Sequence, residues 1–302
     1  MLTRRQFGKF TLASVPLVSA FAKINSKIDG VQIGVQSYSF RDLSFDDALK
    51  AMVADGLGSC ELFAPHIEGG NTDKGPMSGY RRGMSADERK AIRDDLRKWR
   101  TTVSLDYFKG IKKRFDEAGV NLHAYNYSFN DSFTDDEIER GFEFAKALGV
   151  DILTASTTLP VAKRVVPFAE KHKILVAMHG HSDLKDPNQF AKPESFAAAM
   201  EMCKLYRINL DIGHFTAANY DAVEFITNHH KDIVFIHLKD RKKNEGENTI
   251  WGDGDTPIKQ VLLLLKEKKW PVPGYIEYEY KGTGTSVEEV KKCFEYCKQV
   301  LA

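Results

Sequence analysis

The 302-residue chain is 42% hydrophobic and 28% charged, the balance of an ordinary globular protein rather than a disordered or membrane-embedded one. Its formal net charge of +1 provides no general field for a nucleic-acid backbone or an acidic partner. Four cysteines (Cys60, Cys203, Cys293 and Cys297) form neither a disulfide framework nor a zinc-spaced cluster, which leaves them as isolated thiols.

The N-terminus differs in kind from the rest. TRRQFGKF (residues 3–10) sets Arg4 and Arg5 ahead of the apolar stretch TLASVPLVSAFA, which is too short to span a bilayer and ends in the small-x-small pattern Ala20-Phe21-Ala22. This reads as a twin-arginine-type signal peptide over 1–22, although Gly8 stands where that signal usually has a bulkier apolar residue. The expectation is a mature protein from about Lys23, exported to the periplasm by the twin-arginine machinery without stable membrane insertion.

Beyond residue 30 one alternation repeats. The β-rich runs are VQIGVQSYSF, SCELFA, VNLHAYNYSF, DILTAS, KILVAMHG, RINLDIGH, IVFIHLKD and GYIEYEY. Helical patterns separate them. SFDDALKAMVADG opens with Ser44 as N-cap, has acids in its first turn and stops at Gly56. SADERKAIRDDLRKW and SLDYFKGIKKRFDEAG fill the second gap, and one helical segment follows each later strand. Strict βα alternation favours parallel pairing by right-handed crossovers, and eight units in this length predict an α/β fold of the (β/α)8 type, a single domain over 23–302. An open doubly wound sheet would carry a glycine-rich phosphate loop after an early strand, and no G-x-G-x-x-G lies there.

In such a barrel the chemistry gathers at the carboxyl ends of the strands. The first run ends in Tyr38 and Phe40, the second brings Glu61 and His66, and the third His123 and Tyr125. The fifth ends in His179 and His181, which alternation places on one face; the sixth offers Asp211 and His214, the seventh His237, Lys239 and Asp240, and the eighth Glu277 and Glu279. His179, Asp211, His237 and Glu277, one from each of four adjacent strands, form a mixed N/O set suited to Mn²⁺, Zn²⁺ or Co²⁺. Ligand bonds of about 2.0–2.2 Å would set facing donor atoms roughly 3–4 Å apart. His181, His214 and Glu279 remain for orientation or proton transfer, and RKKNE (Arg241 to Glu245) reads as a solvated loop.

The motifs LDIGH, HLKD, WGDGD and YIEYEY resemble those of the xylose-isomerase-like TIM barrels, often called sugar phosphate isomerases/epimerases. The resemblance implies that Asp211, His237 and Glu277 bind a divalent metal ion, that His214 touches substrate, and that the loop 251–255 caps a sugar pocket. Tyr38, His66, His123, Trp251 and Asp253 are the substrate-binding residues expected from these positions. The departure lies in the fifth strand, where the family usually has a glutamate serving as ligand and acid/base, and this chain has His179. A metal-bound imidazole has no free lone pair for proton abstraction, so the two-glutamate epimerase scheme loses one base. The base would then be Glu279, His181, His214 or Glu61, with Lys239 also in the catalytic set. The expected reaction is removal of a proton beside a sugar carbonyl, as a lyase or hydratase of 3-keto-glycosides. A free-sugar isomerase or epimerase and an exported non-catalytic sugar-binding protein are the alternatives. A zinc endonuclease is opposed by the absence of any histidine after His237.

Overall fold

The computed structural model describes residues 22–70, 72–76 and 83–302; the expected signal segment, apart from Ala22, lies outside the described residues. Eight parallel strands close on themselves: β2 (Val31–Gln36), β3 (Ser59–Phe63), β4 (Asn121–Asn126), β5 (Ile152–Ala155), β6 (Leu175–His179), β7 (Tyr206–Asp211), β8 (Ile233–Leu238) and β9 (Gly274–Ile276). Closure is the parallel pairing of β2 with β9, in the register Ile33↔Gly274. A two-residue strand, β1 (Lys27–Ile28), runs antiparallel to β2 at the base. The (β/α)8 barrel expected from the alternation is the observed architecture.

Local signals set the helices. Ser44 accepts from Asp47 N and starts α1 (Phe45–Asp55); Gly56, at φ 76°, ends it in the left-handed conformation that glycine adopts without a Cβ clash. The second gap holds α2 (Ala86–Thr102) and α3 (Leu105–Ala118), and the third α4 (Asp135–Ala147). Capping boxes begin α2 at Ser85/Glu88 and α4 at Thr134/Glu137. Then come α5 (Leu159–His172) and α6 (Pro193–Met202), and after β7 a short α7 (Ile212–Ala217) precedes α8 (Ala222–His229). The remaining connections are α9 (Ile258–Lys268) and α10 (Ser286–Leu301).

Two strand readings are shortened. Residues 37–40, read as the end of the first strand, form a 3-10 turn in which Gln36 Oε1 accepts from Tyr38 N. The last strand stops at Ile276, so Glu277 and Glu279 stand on the segment leaving the barrel. The four cysteines are buried free thiols. No helix among the described residues is long and apolar enough to cross a membrane.

Between the sheet and the helices lies the main core, in which Phe108 stacks on Phe144 at 4.0 Å. Ala124, Phe235 and Tyr275 form a separate buried layer. Below that layer a cavity of about 430 Å³ opens at the amino ends of the strands, lined in part by Ser59, Asn121 and His123.

Candidate metal centre and pocket

The carboxyl ends of β6–β9 converge. His179 ends β6, Asp211 ends β7, His237 is the penultimate residue of β8, and Glu277 directly follows β9. Sheet register alone sets Asp211 beside His237 and His237 beside Tyr275. One potential ligand atom from each of the four residues lies within 4.8 Å of the others, and all four are buried. The Lys239 ammonium stands among the carboxylates, 3.0 Å from Asp211, 2.9 Å from Glu277 and 2.6 Å from Glu279.

The cluster fits a divalent cation. Two imidazoles and two carboxylates are the donor set of Mn²⁺, Zn²⁺ or Co²⁺. His179 Nδ1 is buried without a partner, and Asp211 Oδ2 has Lys239 nearby but no aligned hydrogen bond. His237 Nδ1 lies 3.1 Å from Glu277 Oε2. Burial pushes the Asp211 carboxyl up to about 7, against the pull of Lys239. Burial also opposes charge on Glu277 and on His237. Lys239 and His237 nevertheless hold Glu277 well below the usual carboxylate range, and Glu61 and Glu277 raise His237 to about 10. His179 stays neutral because burial and the His237 charge both disfavour its protonation.

The short α7 ties Asp211 down on its other oxygen. Asp211 Oδ1 accepts from His214 N at 2.7 Å and caps the helix, fixing both residues of D-x-x-H. Gly213 is required there, since a Cβ would lie 2.8 Å from Lys239 O and 2.9 Å from Lys239 Cβ. Arg241 donates to His214 Nδ1 at 2.6 Å, and the Lys239 ammonium approaches Nε2 at 3.1 Å. Arg241 also donates to Ser182 Oγ and Gly246 O. It belongs to the site, contrary to the solvated-loop reading of RKKNE, because the loop turns back through Gly246 and aims the guanidinium inward.

Above the cluster is a pocket of about 160 Å³. One side carries His179, His181, His214, His237, Lys239, Glu277 and Glu279; the other carries Gln36, Tyr38, Phe63, Asn126, Ser128 and Ser156. Of the residues singled out in the sequence, Tyr38, His181, His214, Lys239 and Glu279 therefore share one pocket with the metal candidates. Burial holds His181 neutral, and its Nδ1–H donates to Gln189 Oε1 at 3.2 Å, leaving Nε2 as an acceptor.

Other positions need correction. Glu61 does not line the pocket: it is fully buried behind His237, with Oε2 2.5 Å from Nε2. His66 is also fully buried and its Nε2 meets Ser37 O at 2.9 Å, because the chain turns away from the mouth directly after β3. His123 sits low on β4, where Nδ1 pairs with the Tyr275 hydroxyl at 2.5 Å in the base cavity. Trp251 packs edge-on against Tyr296 at 5.7 Å, outside the pocket. Asp253 is outside it too; buried Asp240 accepts from Gly252 N, Gly254 N and Thr256 N and folds the loop around itself. Asn126, Ser128, Ser156 and Gln36 went unnoticed, since single amides and hydroxyls at strand ends carry no sequence pattern.

Among solved structures, a sugar phosphate isomerase/epimerase from Parabacteroides distasonis is similar at 18% identity and TM-score 0.61, over 94% of this chain and 99% of that one. The IOLI protein with a bound zinc atom shares 15% identity at TM-score 0.61, over 89% and 98%. The probable 3-DHS dehydratase AsbF of petrobactin synthesis from Bacillus anthracis shares 12% at TM-score 0.59, over 89% and 99%. No curated protein matches the chain. The family model described as xylose isomerase-like TIM barrel matches residues 83–300, more than half the chain, and with the closed barrel this places the protein in the xylose isomerase-like TIM barrel family.

Proposed function

We propose that the protein is a divalent-metal-dependent enzyme that removes a proton beside the carbonyl of an unphosphorylated sugar derivative, as a lyase or hydratase of 3-keto-glycosides. The observation carrying this reading is that Glu279 is the pocket's one carboxylate outside the metal candidates. A cation on His179, Asp211, His237 and Glu277 supplies Lewis-acid polarisation of the carbonyl oxygen.

Of the possible bases, Glu61 lies behind His237 and His214 gives its one lone pair, on Nδ1, to Arg241, which leaves Glu279 and His181. Glu279 takes the proton. The Lys239 ammonium stands 2.6 Å from it, and the protonated Glu279 is placed to return the proton to a departing oxygen. His181 Nε2 accepts from a sugar hydroxyl. The opposite wall offers amides, hydroxyls and the Phe63 ring without fixed charge, while Lys239 and Arg241 are engaged within the protein. A neutral polyol suits that wall better than a phosphate. The Arg4-Arg5 segment supports periplasmic export, away from the main pools of phosphorylated sugars.

The second reading is a sugar isomerase or epimerase, favoured by the presence of both Glu279 and His181 as proton acceptors in one pocket. Product stereochemistry in deuterated water separates the two. Loss of a leaving group or addition of water without net inversion supports the lyase, whereas conversion of free ketoses to C3 epimers at ordinary enzymatic rates replaces it with the epimerase.

A further inference from the structure

His237 is faced by a carboxylate on each side. Nδ1 looks toward Glu277 and the metal candidates; Nε2 looks away, to Glu61 Oε2 at 2.5 Å. Glu61 is fully buried, and among the described residues His237 is its one ionic partner. An isolated buried carboxylate is costly, so its few contacts must be specific.

The other oxygen of Glu61 is held from two further strands. Thr154 on β5 donates its hydroxyl to Oε1, and Asn126 Nδ2 on β4 reaches the same oxygen at 3.5 Å while donating to Thr154 Oγ1 at 3.0 Å. This chain runs from pocket-lining Asn126 through Thr154 to Glu61 and aims one carboxylate oxygen at Nε2. Asn209 Nδ2 also approaches Nε2, at 3.3 Å. Were that nitrogen the acceptor of the amide, it would meet Glu61 Oε2 acceptor to acceptor at 2.5 Å, so the shorter contact dictates a proton on Nε2.

We infer that Glu61 is a positioning residue of the metal centre, accepting the Nε2–H of His237 and thereby presenting Nδ1 to the cation. The inference rests on the metal reading above. A carboxylate behind a ligating histidine fixes the ring and strengthens its donor nitrogen, and cation binding in turn polarises the N–H that Glu61 accepts.

The test uses Zn²⁺ and Mn²⁺ alone, by chelator competition on the intact protein, with Glu61→Gln and Thr154→Val. Glu61→Gln should weaken metal binding about 10–100-fold, and Thr154→Val, which keeps the charge but releases its clamp, should weaken it less. In the ¹⁵N spectrum of the zinc-loaded unmodified protein, His237 should show a metal-bound Nδ1 and a protonated Nε2. Should Glu61→Gln fail to fold, Thr154→Val and this spectrum decide. Undiminished affinity in the folded variants, or zinc on Nε2, overturns the inference while the metal reading stands. An unmodified protein that binds neither ion overturns the metal reading and this inference with it.

Discussion

Arg241 donates to Nδ1 of His214 across 2.6 Å, and that contact decides which face of the imidazole meets the pocket. A guanidinium has no acceptor, so His214 must offer its Nδ1 lone pair and carry its proton on Nε2. Burial and the neighbouring Lys239 charge hold His214 neutral, and with its proton on Nε2 the Lys239 ammonium 3.1 Å away is a close neighbour and not a hydrogen-bond partner.

Replacing Arg241 by Gln should free the ring and lower kcat/KM on the order of 10–100-fold, the scale of misaligned catalytic groups. Arg241→Lys should not restore activity, because a point charge cannot reach His214, Ser182 and Gly246 together. Steady-state kinetics with ¹⁵N assignment of His214 checks both, and full activity in either variant contradicts the assignment.

Asp211→Asn tests the metal centre with little damage to the fold. Asparagine still caps α7 but removes one anionic ligand. The purified parent should contain a divalent first-row metal; the variant should lose most of it while far-UV circular dichroism is unchanged. Exhaustive chelation of the parent should abolish turnover, and Mn²⁺, Zn²⁺ or Co²⁺ should restore it.

His179→Glu should keep metal binding, since carboxylate also serves these ions. It returns a carboxylate to the fifth barrel strand and should introduce weak C3 epimerisation that the parent lacks. Deuterium incorporation at C3 of free ketoses is the measurement; unchanged product stereochemistry in a metal-loaded variant counts against the importance given to His179.

His66 sets an acid limit on stability. Burial lowers it to about 4 from an ordinary 6.5. Between those values the unfolded chain binds the extra proton, so stability rises with pH through this window and is lost on acidification. The group contributes about 3 kcal/mol across it. His66→Gln, which can still donate to Ser37 O, should flatten urea-denaturation stability between about pH 4.5 and 7 relative to the parent. Parallel pH profiles would show that His66 is not responsible.

Export is tested by Arg4→Lys with Arg5→Lys, which should strand the protein in the cytoplasm if the pair is read by the twin-arginine machinery. Unimpaired export of the double variant would remove the localisation argument against phosphorylated substrates. Cell fractionation gives the answer directly.

The barrel was legible because βα alternation is a periodic signal, and the metal candidates because His179, Asp211 and His237 occupy the ends of strands whose apolar runs are unmistakable. Errors arose where a residue's height in the barrel mattered. His123 belongs to the same strand as Asn126, yet it lies near the base and Asn126 lines the mouth. Glu61 illustrates a second limit. Its strand position was right, but the irregular register between β3 and β4 at Cys60/Glu61 and the clamp from Thr154 turn it toward His237. Arg241 looked exposed in a basic run because sequence does not show that Gly246 brings the loop back.

The pocket's two walls come from different stretches of chain. Groups that handle charge lie between residues 179 and 279, whereas those facing them with amides, hydroxyls and rings lie between 36 and 156. On the proposed reading, substitutions at Gln36, Ser128 or Ser156 should reshape which hydroxyl pattern is accepted with less effect on the proton-transfer groups; a change at Gln36 also reaches the turn that carries Tyr38. Asn126 is the exception: it faces the pocket and also steadies Glu61 through Thr154. On that reading, sugar preference should vary more freely at the other three positions than at Asn126, where a change should also weaken the proposed metal site.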